Sequence, residues 1–363
     1  MKKNIALVFC SVLFVLFLFE IVLRTVSMEK PEVLVGPKTD WAPVPERIWT
    51  EYHPVLGWYH QRNKHAILKL QHVEANINTN SQGFRGIRDY EKQKPPGSSR
   101  IVCLGDSFVF GFGVQDNETF CSQLEAKHQN LEVLNLGVAA YGMDQILMAY
   151  RTLAKDYNAD YVFIGIFPED FWRATRAFAD SGHAKPYFSL STSGRLILHN
   201  VPVPPQYQLN TNQYPDLIQY HPVEQFLLHS LVYRMIKKSL IKLGKNLRLV
   251  DPDLTVEWKI GREILNQLIS EVREQNQKPV LLLLPPDRWV KSARVDSLRK
   301  SVIRFSKKEN VDLIDLTPGF YEAVQIGKIT DYYIEGDWHW TAKGHELASD
   351  LISRYLTERT QKV

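Results

Sequence analysis

From residue 100 onward short apolar runs alternate with longer amphipathic segments, and no other feature of the sequence constrains the fold as strongly. The runs Ile101–Leu104, Glu132–Leu136, Tyr161–Phe167, Pro279–Leu284 and Val311–Ile314 have the length of strands. Between and after them, apolar residues at helical spacing predict helices over Thr119–His128, Asp144–Lys155, Val256–Gln275, Ala293–Lys308 and Ala342–Thr357. Strands that alternate with helices are the mark of βαβ units, so an α/β protein is expected: a three-layer α/β/α sandwich around a mostly parallel five-stranded sheet. The third and fourth strands stand about 110 residues apart, far more than a crossover needs. An insertion is therefore placed at about 171–255, with a proline-rich stretch at Val201–Tyr207 and helical spacing over Val223–Leu243. It reads either as a lid over one end of the sheet or as a helical pair that only extends the core.

Composition narrows the class. The 363 residues are 44% hydrophobic and 23% charged, enough for one large domain with extensions. With 44 basic against 40 acidic residues the formal charge is +4, too close to balance for a grip on nucleic acid. Three cysteines make neither a disulfide framework nor a metal-ligand cluster. Cys103 and Cys121 read as a single bridge or as two small buried thiols.

The first 26 residues differ from the rest. Lys2 and Lys3 precede an uncharged run, Ile5–Phe19, which Ile21–Leu23 extends to the roughly 20 residues a bilayer requires. Residues 1–26 are read as a transmembrane signal anchor that contacts the membrane through 5–26. The lysines in front of it put the N-terminus in the cytoplasm and the body outside, in the cell envelope or periplasm. A cleaved signal peptide is the alternative, although no small-x-small site follows. The sequence around Cys10 lacks the small residues that precede a lipidated cysteine. Residues 27–97, rich in proline and aromatics, are expected to form a stalk and an irregular extension packed on the main domain, with one strand-like stretch at Ala75–Asn80. After the turn-rich Lys94–Ser99, the catalytic domain is placed at 98–360.

Two separated motifs carry the chemistry. Gly105-Asp106-Ser107 closes the first strand, and ligands of open α/β sheets bind at the carboxyl ends of strands. Taken alone, Ser107 reads as a helix-capping serine in an ordinary βα loop. Near the C-terminus Asp337 and His339 stand two residues apart just before a helix that Thr341 is placed to cap. A nucleophilic serine needs a base, and the base needs a carboxylate to orient it and stabilise its cation.

These blocks resemble the SGNH hydrolase superfamily, the GDSL-like lipases and esterases. The resemblance runs from about 98 to 357 through Gly105-Asp-Ser-Phe108, Asn135-Leu-Gly137 with Ala140-Tyr-Gly142, and Asp337 with His339. It implies a flavodoxin-like SGNH fold, a Ser107/His339/Asp337 triad, and an oxyanion hole built on the main chain of Ser107 and Gly137. Where the family's third block presents an asparagine, this chain has Glu169, within Ile166-Phe-Pro-Glu-Asp-Phe171. That departure requires the carboxylate to turn away, be protonated, or pair with a cation such as Arg173. The spacing Asp-x-His followed by tryptophan is similar to a membrane-anchored branch of alginate O-acetyltransferase-like proteins.

The implied activity is that of a serine ester hydrolase or O-acyltransferase acting on an envelope polysaccharide or lipid, with no cofactor and no metal. The alternative is a non-catalytic SGNH-like module that binds glycan or helps envelope assembly. Trp172, Phe178, Tyr187 and Phe188 are read as sugar-stacking or lid-core aromatics. Arg85 is read as a buried structural arginine paired with a carboxylate in preference to a substrate anion site, and His60, His65, His72, His183 and His345 as surface or packing residues.

Overall fold

A computed structural model describes residues 48–70, 73–179, 181–205, 255–291 and 296–360, together with scattered helical residues in 11–22 and 227–239. Of the expected anchor at 5–26 only residue 11 and residues 14–22 are described, and residues 27–47, His72 and most of the helical stretch at 223–243 fall outside the described residues. Among those described, no helix is long and apolar enough to cross a membrane.

In chain order the strands are β1 (Thr50–His53), β2 (Gly57–His60), β3 (His65–Leu70), β4 (Val73–Asn78) and β5 (Ser99–Gly105). The short α1 (Ser107–Phe110) and α2 (Phe120–Lys127) lead to β6 (Leu131–Gly137), and α3 (Met143–Ala149) runs through one wide turn to β7 (Tyr161–Ile166). The insertion supplies α4 (Pro168–Arg173) and the hairpin of β8 (Tyr187–Leu190) and β9 (Leu196–His199). Then follow α5 (Val256–Glu274), β10 (Lys278–Leu283), α6 (Asp287–Val290), α7 (Ser297–Lys308), β11 (Asp312–Asp315), α8 (Thr317–Ile326), α9 (Ile329–Tyr332) and α10 (Ala342–Thr360).

The central sheet is parallel throughout, in the order β11-β10-β7-β5-β6. Alternate side chains of each strand feed the two faces. Val102 and Leu104 join Ile146, Ile264 and Leu268 from α3 and α5 on one side. Ile101 and Cys103 join Phe120, Phe320 and Ile352 from α2, α8 and α10 on the other. Strands covered on both faces must be apolar along their whole length, and this is why the five runs stand out in the sequence. The chain passes from β5 outward to β6 and then crosses back to β7, so the order switches beside the end of β5. In doubly wound sheets that switch opens the crevice where ligands bind, and Ser107 lies directly at it.

The extension is ordered where an irregular segment was expected. β1 pairs with β2 and β3 with β4, each antiparallel. Ala66, Leu68, Ala75 and Ile77 turn one face of the second hairpin onto Trp49, Phe110 and Phe112. Arg85 is buried, donates to Asp116 at 2.6 Å and to the Val114 carbonyl at 2.8 Å, and so ties the extension to the loop after α1. Cys103 and Cys121 are both free and buried, so no bridge forms between them.

Candidate active site

The turn from β5 into α1 positions Ser107. Asp106 caps α1, its Oδ1 accepting from the Phe108 amide at 3.0 Å, while Gly111 ends the helix in a left-handed conformation (φ 83°). Ser107 thus occupies the first position of a single-turn helix, where an amide has no intrahelical acceptor. Its hydroxyl lies 2.8 Å from His339 Nε2, and His339 Nδ1 lies 2.6 Å from Asp337 Oδ1. The same carboxylate oxygen accepts the His339 main-chain amide at 2.9 Å. Burial works against the Asp337 charge, but the hydrogen bonds and charge of His339, with the amides of His339 and Trp338, hold the carboxyl below its usual range. The imidazole is wedged between Phe108 and Phe112, with ring centroids at 5.1 and 4.6 Å. Thr341 accepts from the Gly344 amide at 3.2 Å, capping α10 and fixing the loop that carries both residues.

Gly137 is not brought to the cleft. Its amide donates to Asn135 Oδ1 at 3.1 Å, and a Cβ there would lie 2.2 Å from the Phe110 nitrogen. The glycine serves to let α1 settle on β6, which Asn135 reinforces by donating to the Val109 carbonyl at 2.8 Å. The expected oxyanion role for Gly137 is corrected on this ground. The turn that follows β6 takes the place facing Ser107: Ala139 and Ala140 line the cleft, and Ala140 adopts φ 63°. Among the described residues neither amide donates to a main-chain acceptor. A left-handed alanine leaves no mark in the sequence, which is why it was missed.

Glu169 lines the cleft too, but its cation is Arg288 at 2.7 Å, not Arg173. Its other oxygen is buried with no hydrogen-bond partner among the described residues. Arg173 belongs to a separate cluster. Its Nη1 donates to Asp170 at 2.9 Å, to Asp106 at 3.1 Å and to the Tyr141 carbonyl at 3.2 Å. Asp170 also accepts the Phe167 amide at 3.0 Å and so anchors the start of α4. Burial first, and then the neighbouring Asp106, push the Asp170 carboxyl well above its usual range in spite of Arg173. The guanidinium loses by burial, yet Asp170 and Asp106 more than restore its charge.

The cleft has a volume of about 550 Å³. Trp58 and Thr50 from the extension form one side of it, and Trp172, Phe178 and Lys185 from the insertion another. Arg176 stacks on Trp172 at 3.4 Å from the ring centroid, and Trp338 stands half exposed beside His339. Of the other aromatics singled out by sequence, Phe188 is buried in the core and Tyr187 stacks on His199. His60 and His345 are buried away from the cleft, His65 is exposed, and His183 lines the cleft. Among the described residues no group of three or more histidine, cysteine or acidic side chains could hold a metal.

No family model matches the chain, and no curated protein matches it. Among solved structures it is similar to a member of the lipolytic G-D-S-L family from Veillonella parvula, at 12% identity and a TM-score of 0.43, over 72% of this chain and 99% of that one. A psychrotrophic esterase from Pseudoalteromonas sp. gives 13% identity and a TM-score of 0.41, over 73% and 100%. An acetylxylan esterase from Geobacillus stearothermophilus gives 12% and 0.40, over 71% and 94%. Likenesses this distant bear on neither activity nor substrate.

Proposed function

We propose that the chain is a serine esterase or O-acyltransferase of the SGNH type whose nucleophile is Ser107. The observation that carries this reading is the continuous chain of hydrogen bonds from Ser107 through His339 to Asp337, at 2.8 and 2.6 Å. A base must lie within hydrogen-bond reach of the proton it takes, and this one does. In the first half-reaction Ser107 Oγ attacks an ester carbonyl as its proton passes to His339 Nε2. Asp337 holds the Nδ1 proton and stabilises the cation. The C–O bond to the leaving alcohol then breaks, and His339 returns the proton to that oxygen. In the second half, water or an acceptor hydroxyl gives its proton to His339 as its oxygen attacks the acyl carbon; the bond from that carbon to Ser107 Oγ then breaks, and His339 returns the proton to Ser107. Amides of Ser107 and of the Ala139–Ala140 turn face the oxygen that becomes negative.

The aromatic surfaces of Trp172, Phe178 and Trp338 suit the faces of sugar rings, so an acylated envelope polysaccharide is the favoured substrate over a lipid ester. The uncharged run Ile5–Phe19, within the apolar stretch at 5–26, supports a membrane-anchored body outside the cytoplasm.

The purified full chain in detergent is expected to hydrolyse p-nitrophenyl acetate and to be labelled by a fluorophosphonate probe. Ser107→Ala should abolish labelling and lower turnover by roughly 10⁴-fold or more. A folded wild-type protein that is neither active nor labelled would sink the reading in favour of a glycan-binding module. Product analysis with an acyl donor and a glycan acceptor separates transfer from hydrolysis.

A further inference from the structure

The third oxyanion donor implied by the family resemblance is missing at Glu169, whose carboxylate is drawn to Arg288. A carboxylate cannot donate to a developing oxyanion, so either the hole is incomplete or another group completes it. Arg173 lines the same cleft as Ser107, Ala140 and His339. Its Nη1 is fixed by Asp106, the residue next to the nucleophile, and by the carbonyl of Tyr141, the residue next to Ala140. All of its described hydrogen bonds use that one nitrogen. Among the described residues Nε and Nη2 donate to no protein acceptor, and neither is a buried, unsatisfied atom. They are therefore open to the cleft. Gly142 permits this approach, because a Cβ there would lie 2.8 Å from Arg173 Cβ.

We infer that Arg173 is a catalytic residue, the charged third donor of the oxyanion hole, its free guanidinium edge meeting the carbonyl oxygen as the tetrahedral intermediate forms. The inference rests on the serine-esterase reading above. A cation held by three acceptors on one nitrogen is preorganised, and it stabilises charge at the moment of reaction without rearranging.

The test compares Arg173→Lys and Arg173→Ala with wild type. Arg173→Lys keeps the charge for Asp106 and Asp170 but loses the fork, and should lower kcat by about 100-fold with KM changed less than about threefold. Arg173→Ala should lose about 1000-fold and regain part of it in millimolar guanidinium. Binding of a phenylboronic acid, which forms a tetrahedral anion on Ser107, should weaken in parallel with kcat/KM. Should the alanine variant fail to fold, the lysine variant and the boronate carry the test. The assignment is overturned if folded Arg173→Lys keeps kcat within threefold of wild type, or if boronate affinity is unchanged in a slowed variant. An inactive, unlabelled wild type would instead bring down the esterase reading itself.

Discussion

Two carboxylates flank Ser107 and do opposite kinds of work. Asp337 sits in a loop, partly exposed, and reaches Ser107 only through His339. Asp106 is fully buried, caps α1 and is locked to Arg173. The first is placed where a charge can respond to a moving proton. The second is placed where a charge can only hold geometry. Cost follows burial: neutralising a partly exposed carboxylate costs less than stranding a buried cation.

Exchanging the two roles by mutation gives the largest expected contrast. Asp337→Asn should lower kcat by roughly 10⁴-fold, by favouring the wrong tautomer of His339, and should change unfolding free energy by less than about 1 kcal/mol. A stability loss as large as that of Asp106→Ala would erase the distinction. Asp106→Ala removes a cap and one anchor of a buried arginine, and should cost about 3–5 kcal/mol in a urea titration.

The sequence shows one of these carboxylates more plainly than the other. Asp337 is legible because it stands two residues from His339. The structural duty of Asp106 is not, because its partner lies 67 residues away across the sheet. The same division runs through the fold. The five parallel strands are readable because both their faces are buried. The hairpins β1–β2 and β3–β4 are short and broken by proline and charge, and β3–β4 buries only one face, against Trp49, Phe110 and Phe112. Gly137 is legible as a needed glycine, but not whether the need is for a donor or for space. Space is the answer here, since Phe110 occupies the position its Cβ would take.

Acid should sharpen the contrast between open and dry groups. Burial, opposed by the Gly83 carbonyl and aided by Arg85, pulls His60 down to about 4. Burial, aided by Arg85 and His339, pulls His345 down to about 3. Both are neutral when folded and take up protons more readily when unfolded. Stability is therefore complete above about pH 6.5 and falls as pH drops toward those values, by up to about 3 kcal/mol from His60 alone. Urea midpoints at pH 7, 5.5 and 4.5 check the slope, and His60→Gln should flatten it. Asp337 adds a smaller term of the same sign: its ionised form stabilises the fold above the ordinary carboxylate range, and that contribution disappears as pH falls through its lowered value.

The smallest effect is expected at the exposed counterpart of the Arg173 cluster. Arg288→Gln breaks the Glu169 pair, in which Arg288 is half exposed and Glu169 partly so, and should shift unfolding free energy by no more than about 0.5–1 kcal/mol. A loss above 2 kcal/mol would mean that Glu169 matters to the fold as Asp106 does.

The hairpin extension changes what counts as the smallest working piece of this molecule. Phe110 and Phe112 are covered by β3 and β4, and Trp58 donates to the Ala139 carbonyl at 3.1 Å. A truncation at residue 98, where the sheet begins, would keep every member of the triad and still uncover two aromatic rings beside the nucleophile. It would also release the turn opposite it. A fragment meant to keep this cleft intact therefore includes the extension from Trp49 onward, and an insertion or fusion point is better sought at Ser191–Gly194, where the β8–β9 hairpin turns at the surface, than at the boundary between extension and sheet.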